Sequence, residues 1–255
     1  MSQSSQYNLT CPKCKTPHEA TLYHSVNIAE DPDLRVQLLS GRLNAVTCPS
    51  CGLSYRVDKP VLYNDPERRI MIYLMPARLD QVPELEDQFL DMMKSVGNVV
   101  PDDDNAPHFH LVLSRSELVE RVFVCEAGLD PRVLEYLKYS IYTRNMEKLP
   151  YEEKALLFNA QDSTDEDLFF VVQDIKTSKL QSVIHHSRKA YTALVEMFGK
   201  ADKGTELFEM FPGPYISARA LLLQEIDEAL DLDEIPEDER LDGGSGGDPD
   251  SDDRE

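Results

Sequence analysis

Apolar and polar residues alternate from Ala20 to Ile28, with Leu22, His24, Val26 and Ile28 in phase. A period of two predicts a strand. Asp31-Pro32-Asp33 then reads as a helix start with proline in the first turn. Leu34, Leu38 and Leu39 carry helical spacing, and Gly41 ends that helix. Leu53, Tyr55 and Val57 alternate again. The runs Pro60–Tyr63 and Ile70–Leu74 flank the turn sequence Asn64-Asp65-Pro66-Glu67, which predicts a β-hairpin.

Further along, Leu85, Phe89, Met92, Met93 and Val96 form an apolar helical stripe ended by Gly97-Asn98. An acidic loop spans Pro101 to Pro107, and Phe109, Leu111 and Leu113 share one face of a following strand. Ser114-Arg115-Ser116-Glu117 matches a capping box, opening a helix that runs to Gly128. Asp130-Pro131 opens another, with Val133, Leu134, Leu137 and Ile141 as its apolar face. Leu156–Phe158 and Leu168–Val172 predict a second hairpin. Ser182 to Phe198 has helical period, and Tyr215 to Leu230 reads as a last helix after Pro212-Gly213-Pro214. No repeat of fixed period is present.

Charge changes this picture at one end. The chain of 255 residues carries −21, but Glu225–Glu255 holds 15 acidic and 2 basic residues, leaving −8 for the rest. Residues 1–76 carry +1. Everything after Pro236 therefore reads as a disordered acidic tail, with Gly243–Gly247 as flexible linker. An acidic body disfavours loose binding to nucleic acid, because phosphate neutralisation needs Lys and Arg. The polar start Met1–Gln6 lacks an apolar signal segment, and no apolar run reaches the ~20 residues of a membrane span. The chain is expected in the cytoplasm, away from membranes.

The chemistry lies in the cysteines. Cys11-Pro12-Lys13-Cys14 and Cys48-Pro49-Ser50-Cys51 are two matched C-P-x-C turns. Each such turn can place two sulfurs on one metal, and two turns complete a tetrahedron. Proline stiffens the turn, and Gly52 permits the positive φ that commonly follows it. In a reducing compartment, paired cysteines hold metal more often than they form disulfides. Zinc with a structural role is expected at Cys11, Cys14, Cys48 and Cys51, since four thiolates leave no open position for catalysis. A redox motif needs only one such pair.

The two motifs, their long gap, Tyr63-Asn64-Asp65-Pro66-Glu67 and Gly128-Leu129-Asp130 before a helix together resemble the bacterial CpXC-domain proteins. The resemblance covers about residues 7–140. It implies zinc at these four cysteines and carries no established activity with it.

Other candidates read more simply as structure. His18 falls four residues past Cys14 and is expected beside the site rather than in it. His108 and His110 would share a half-exposed strand face without a third ligand. His185-His186, on a helix, would point about 100° apart. Cys125 is expected as a buried small apolar residue. Neither Asp102-Asp103-Asp104 nor Asp165-Glu166-Asp167 has the ligand spacing of a calcium loop. Lys13, Lys15, Arg68 and Arg69 make at most a thin basic patch. Nucleotide-binding, serine-hydrolase and zinc-protease motifs are absent.

The expected fold is α+β: a zinc-ribbon-like β module with a helical insert, followed by mixed β-hairpins and helices. The expected division is a zinc-binding domain at 1–128, a C-terminal α+β region at 129–235 and the tail at 236–255. The favoured role is a non-enzymatic adaptor that binds another protein. The alternative is a nucleic-acid-associated or transcription-linked zinc-ribbon factor. An enzyme using His185, His186 or Tyr191 in the C-terminal half is the least favoured reading.

Overall fold

The computed structural model describes residues 1–97, 107–199 and 205–234. The acidic loop at 101–107, apart from its last residue, and the tail at 236–255 lie outside the described residues. The α+β expectation holds.

A mixed five-stranded sheet organises the N-terminal half. Its strands are β1 (Gln3–Thr10), β2 (Pro17–Asn27), β5 (Val61–Asp65), β6 (Ile70–Leu74) and β7 (His108–Val112), in the spatial order β1-β2-β5-β6-β7. The β1/β2 and β5/β6 pairs are antiparallel, and β2/β5 and β6/β7 are parallel. Between β2 and β5 the chain makes helix α1 (Pro32–Leu39) and a small hairpin of β3 (Ala45–Thr47) and β4 (Ser54–Arg56). This is the helical insert expected between the two cysteine turns. Strand β1 was not anticipated, and the reason is physical. Gln3–Thr10 is almost wholly exposed, so it lacks the alternation that marks a half-buried strand.

Helix α2 (Val82–Gly97) precedes β7, and α3 (Arg115–Glu126) and α4 (Pro131–Arg144) follow it. Ser114 caps α3 as predicted, its Oγ accepting from the Glu117 amide at 3.2 Å. Glu117 reaches back one residue further than a capping box requires, to the Leu113 amide at 2.9 Å. Asp130 caps α4 through the Arg132 and Val133 amides, with Pro131 at the first position.

The C-terminal half is built on an antiparallel three-stranded sheet of β8 (Lys154–Phe158), β9 (Asp167–Asp174) and β10 (Leu180–Ser187), ordered β10-β9-β8. Helices α5 (Arg188–Phe198), α6 (Glu206–Met210) and α7 (Ala218–Glu234) complete it. Here the sequence reading needs correction. Residues 182–187 are strand, and the helix starts only at Arg188, capped by Ser187. The β-branched pair Val183-Ile184 favours a strand, and the ladder to β9 supplies its hydrogen bonds. The last helix starts at Ala218 instead of Tyr215, because Tyr215 bridges to Leu111 of β7.

Two large apolar clusters hold the chain, and α3 serves both. Its Leu118 and Val122 pack with Val26, Leu34, Tyr63 and Ile72 of the first half. Its Val124 packs with Leu134, Leu168 and Phe170 of the second. Charged groups join the same elements. Lys138 Nζ lies 2.8 Å from Glu120 Oε1 and 2.7 Å from Glu135 Oε1, all three side chains nearly inaccessible. Glu120 accepts from the Phe158 amide at 2.6 Å, and Glu135 from the Ala218 amide at 2.9 Å. The Tyr142 hydroxyl accepts from the Leu156 amide at 2.7 Å and donates to the Lys154 carbonyl at 3.1 Å. Side chains of α3 and α4 thus take the hydrogen-bonding place of a further strand beside β8. No helix among the described residues is long and apolar enough to cross a membrane.

Candidate metal centre

Each C-P-x-C turn closes a hairpin. The first joins β1 to β2, and the second joins β3 to β4. The two turns repeat the same backbone pattern. Cys11 N–H donates to Thr16 O at 3.1 Å and Lys15 N–H to Cys11 O at 3.0 Å. Correspondingly, Cys48 N–H donates to Leu53 O and Gly52 N–H to Cys48 O, both at 2.9 Å. Both turns then need a residue at positive φ directly after the second cysteine. Gly52 meets the need at φ 70° as expected, and Lys15 does so at φ 60°. The lysine was missed as a special position, although its place one residue after Cys14 matches that of Gly52.

The four sulfurs converge from two hairpins 34 or more residues apart. Cys11 Sγ lies 3.7 Å from Cys51 Sγ, and Cys14 Sγ lies 3.6 Å from Cys48 Sγ. All four lie within 4.8 Å of one another. A disulfide would need about 2.05 Å. Zinc bonded to thiolates at about 2.3 Å gives tetrahedral sulfur–sulfur edges of about 3.8 Å. The donor set and its spacing fit one tetrahedral metal ion. Cys11 and Cys48 are buried, Cys51 is half-buried and Cys14 is exposed.

Electrostatics agree with a cage that needs a cation. The Cys14 amide holds the Cys11 thiol below its ordinary range. The Thr16 hydroxyl, then the Thr16 amide, bring Cys14 down to about 6. At Cys51 the Leu53 amide pulls downward, but burial and the three neighbouring sulfurs outweigh it and push the thiol up to about 11. Like charges this close oppose full ionisation unless a positive ion sits among them.

His18 stands beside the site, as expected. Its Nε2 is 3.1 Å from the Tyr55 hydroxyl and its Nδ1 is 3.4 Å from the Thr16 carbonyl. An Nδ1 proton shared with that carbonyl leaves Nε2 to accept from Tyr55. The tyrosine lies edge-on to the imidazole, with ring centroids 6.0 Å apart, and thiolate charge adds to burial in raising its hydroxyl's pKa.

The other candidates do not assemble. His108 is exposed while His110 is buried, so the pair does not present one half-exposed face. His110 Nε2 instead approaches Cys125 Sγ at 3.9 Å, and Cys125 is only partly buried. His185 is on a strand, paired with Asp167 at 2.7 Å. The Tyr191 hydroxyl accepts from the Asp130 amide at 2.7 Å, some way along a different element. Arg68 is held by Asp65 at 2.9 Å. Among the described residues, the four cysteines are the one cluster able to hold a metal.

A family model described as CpXC protein matches residues 9–138, which takes in both cysteine turns, α3 and the first half of α4. Comparison with curated proteins and with solved structures gave no match.

Proposed function

The chain belongs to the CpXC family, and from that premise we propose that it is a zinc protein whose metal is structural and whose role is to bind another protein. The convergence of four sulfurs with edges of 3.6–3.7 Å carries the metal assignment. Zinc is favoured because an all-thiolate tetrahedron suits it, and because a closed set of four cysteines leaves no site for substrate. Metal binding here also fixes the fold, since it ties the tip of the β1/β2 hairpin to the tip of the β3/β4 hairpin. A reducing cytoplasm keeps the thiols available. The adaptor role follows from a metal that holds surface together without taking part in chemistry.

Native mass spectrometry of the intact chain tests the metal, beside a Cys48→Ser/Cys51→Ser variant. One zinc ion per chain is expected, absent from the variant. A bound iron, or no metal in protein purified without chelators, would overturn the zinc assignment. Cross-linking in the native host then tests the role. A stoichiometric protein partner is expected, and turnover of a small molecule by the zinc-loaded chain would contradict it.

A further inference from the structure

A long furrow runs between the metal-bearing half and the second sheet. It consists of three adjoining cavities of about 720, 520 and 500 Å³. Ser116 and Gln173 line all three, so the cavities form one continuous trough. Its widest part has an aliphatic and aromatic lining that includes Leu39, Val119, Phe123, Leu157, Val171 and Leu180. Leu180 is 65 % exposed there.

Charge along the trough is mostly spoken for. Arg115 is held by Asp58, Glu120 by Lys138, and Arg78 by Asp80. Glu117 accepts from the Leu113 amide, and Arg219 donates to the Tyr151 carbonyl. Arg56 differs. It is exposed, lines the two larger cavities, and its side chain has no hydrogen-bond or ion-pair partner among the described residues. Of the three arginines in residues 34–57, Arg56 is the one that lines the trough, since Arg35 is held by Glu126 and Arg42 donates to Ser40.

The far end of the trough is lined by Arg219 and Leu223 of α7. That helix leads directly into residues 235–255, which carry nine acidic residues and two arginines, with Ile235 and Leu241 among them. From Leu223 to the end of α7 is about 17 Å at 1.5 Å per residue. The 21 residues beyond can extend up to about 70 Å. They can return to the trough with length to spare.

We propose that the furrow is the docking site of the chain's own acidic C-terminal segment, residues 235–255, with its carboxylates on Arg56 and its aliphatic side chains on the apolar floor. Covalent attachment gives such a segment an effective concentration of order millimolar, so weak contacts suffice to hold it. The tail then competes with any outside segment of like chemistry.

The test uses full-length protein in which every Asp and Glu of 235–255 is replaced by Asn or Gln. A fluorescein-labelled synthetic peptide of native residues 235–255 is titrated in at 20 mM NaCl and followed by anisotropy. Binding to the neutralised-tail protein is expected, with affinity at least tenfold weaker for the native chain. Arg56→Glu and Leu180→Ser, both at exposed positions, are each expected to weaken it about fivefold, as is 0.5 M NaCl. Failure to bind, or equal binding of a scrambled peptide, would overturn the proposal. Equal binding to native and neutralised-tail chains would also overturn it, and would mark the furrow as open to a separate partner.

Discussion

Lys138→Met removes the cation from between two buried carboxylates without changing side-chain length much. In the native chain Lys138 is only 4 % exposed and lies 2.8 and 2.7 Å from Glu120 and Glu135. Each carboxylate keeps one backbone amide after the substitution, from Phe158 and Ala218 respectively. Neither keeps a counter-ion at contact distance among the described residues. Stranding a buried charge in this way costs about 3–5 kcal/mol. For a domain of 150–250 residues that corresponds to a melting-point fall of roughly 6–20 °C. Urea unfolding followed by far-UV circular dichroism at pH 7 reads the loss as a shift of midpoint at unchanged slope. The pH dependence gives the sign. Burial already raises the Glu120 carboxyl above its ordinary range, and loss of Lys138 raises it further. A carboxyl with a raised folded-state pKa favours the fold while protonated, so the deficit should be smallest in acid and grow as pH rises through that raised value. A loss under about 1 kcal/mol, or one independent of pH, would refute the view that these two buried carboxylates depend on Lys138 as their counter-ion.

Gly52→Ala is expected to cost about 1 kcal/mol through positive φ alone, since an added Cβ meets nothing within 4 Å; Lys15→Gly, at the matching position, should gain a similar amount, read by thermal melting of the zinc-loaded chain. Arg35→Ala removes a bidentate contact with Glu126 at 2.7 Å that is still partly solvent-screened, so a loss of about 1 kcal/mol in chemical denaturation is expected. The Thr177 hydroxyl, its amide and Lys154 hold Asp174 down to about 2, so its contribution is complete above the usual aspartate pKa and fades as pH falls toward 2. Thr177→Val should flatten that acid limb of the stability profile, measured by melting temperature between pH 5 and 2. Excess chelator should release the β1/β2 and β3/β4 hairpin tips first, seen as accelerated amide exchange at Lys15 and Gly52 before Leu134 or Phe170.

The clustering of the four cysteines was almost fully legible in the sequence because its chemistry is local. Two C-P-x-C turns specify their own geometry, and only their mutual approach needed the fold. Capped helices were legible for the same reason: Ser114 and Asp130 act on amides two or three residues away. Strand β1 and the strand portion of 182–187 were not, because their stability comes from partners. Gln3–Thr10 is strand through its ladder to Pro17–Ser25, not through burial of its own side chains. His185 and His186 took helical period only because Val183 stands seven residues before Ala190. The buried Glu120–Lys138–Glu135 cluster was invisible for a related reason. Its members lie on two helices, and nothing in either local pattern says that charged positions at 120, 135 and 138 face inward together.

Helix α3 presents Leu118 and Val122 to one apolar cluster and Val124 to the other. Its freedom to vary is therefore narrower than that of any helix with a solvent face. A substitution there must satisfy two independent packing problems within seven consecutive residues. Grafting the metal-bearing half onto a different C-terminal partner would require that partner to reproduce the surface against which Val124 and Glu120 rest. A graft that left Val124 and Glu120 without that surface would expose an apolar side chain and a carboxylate together on one face of α3.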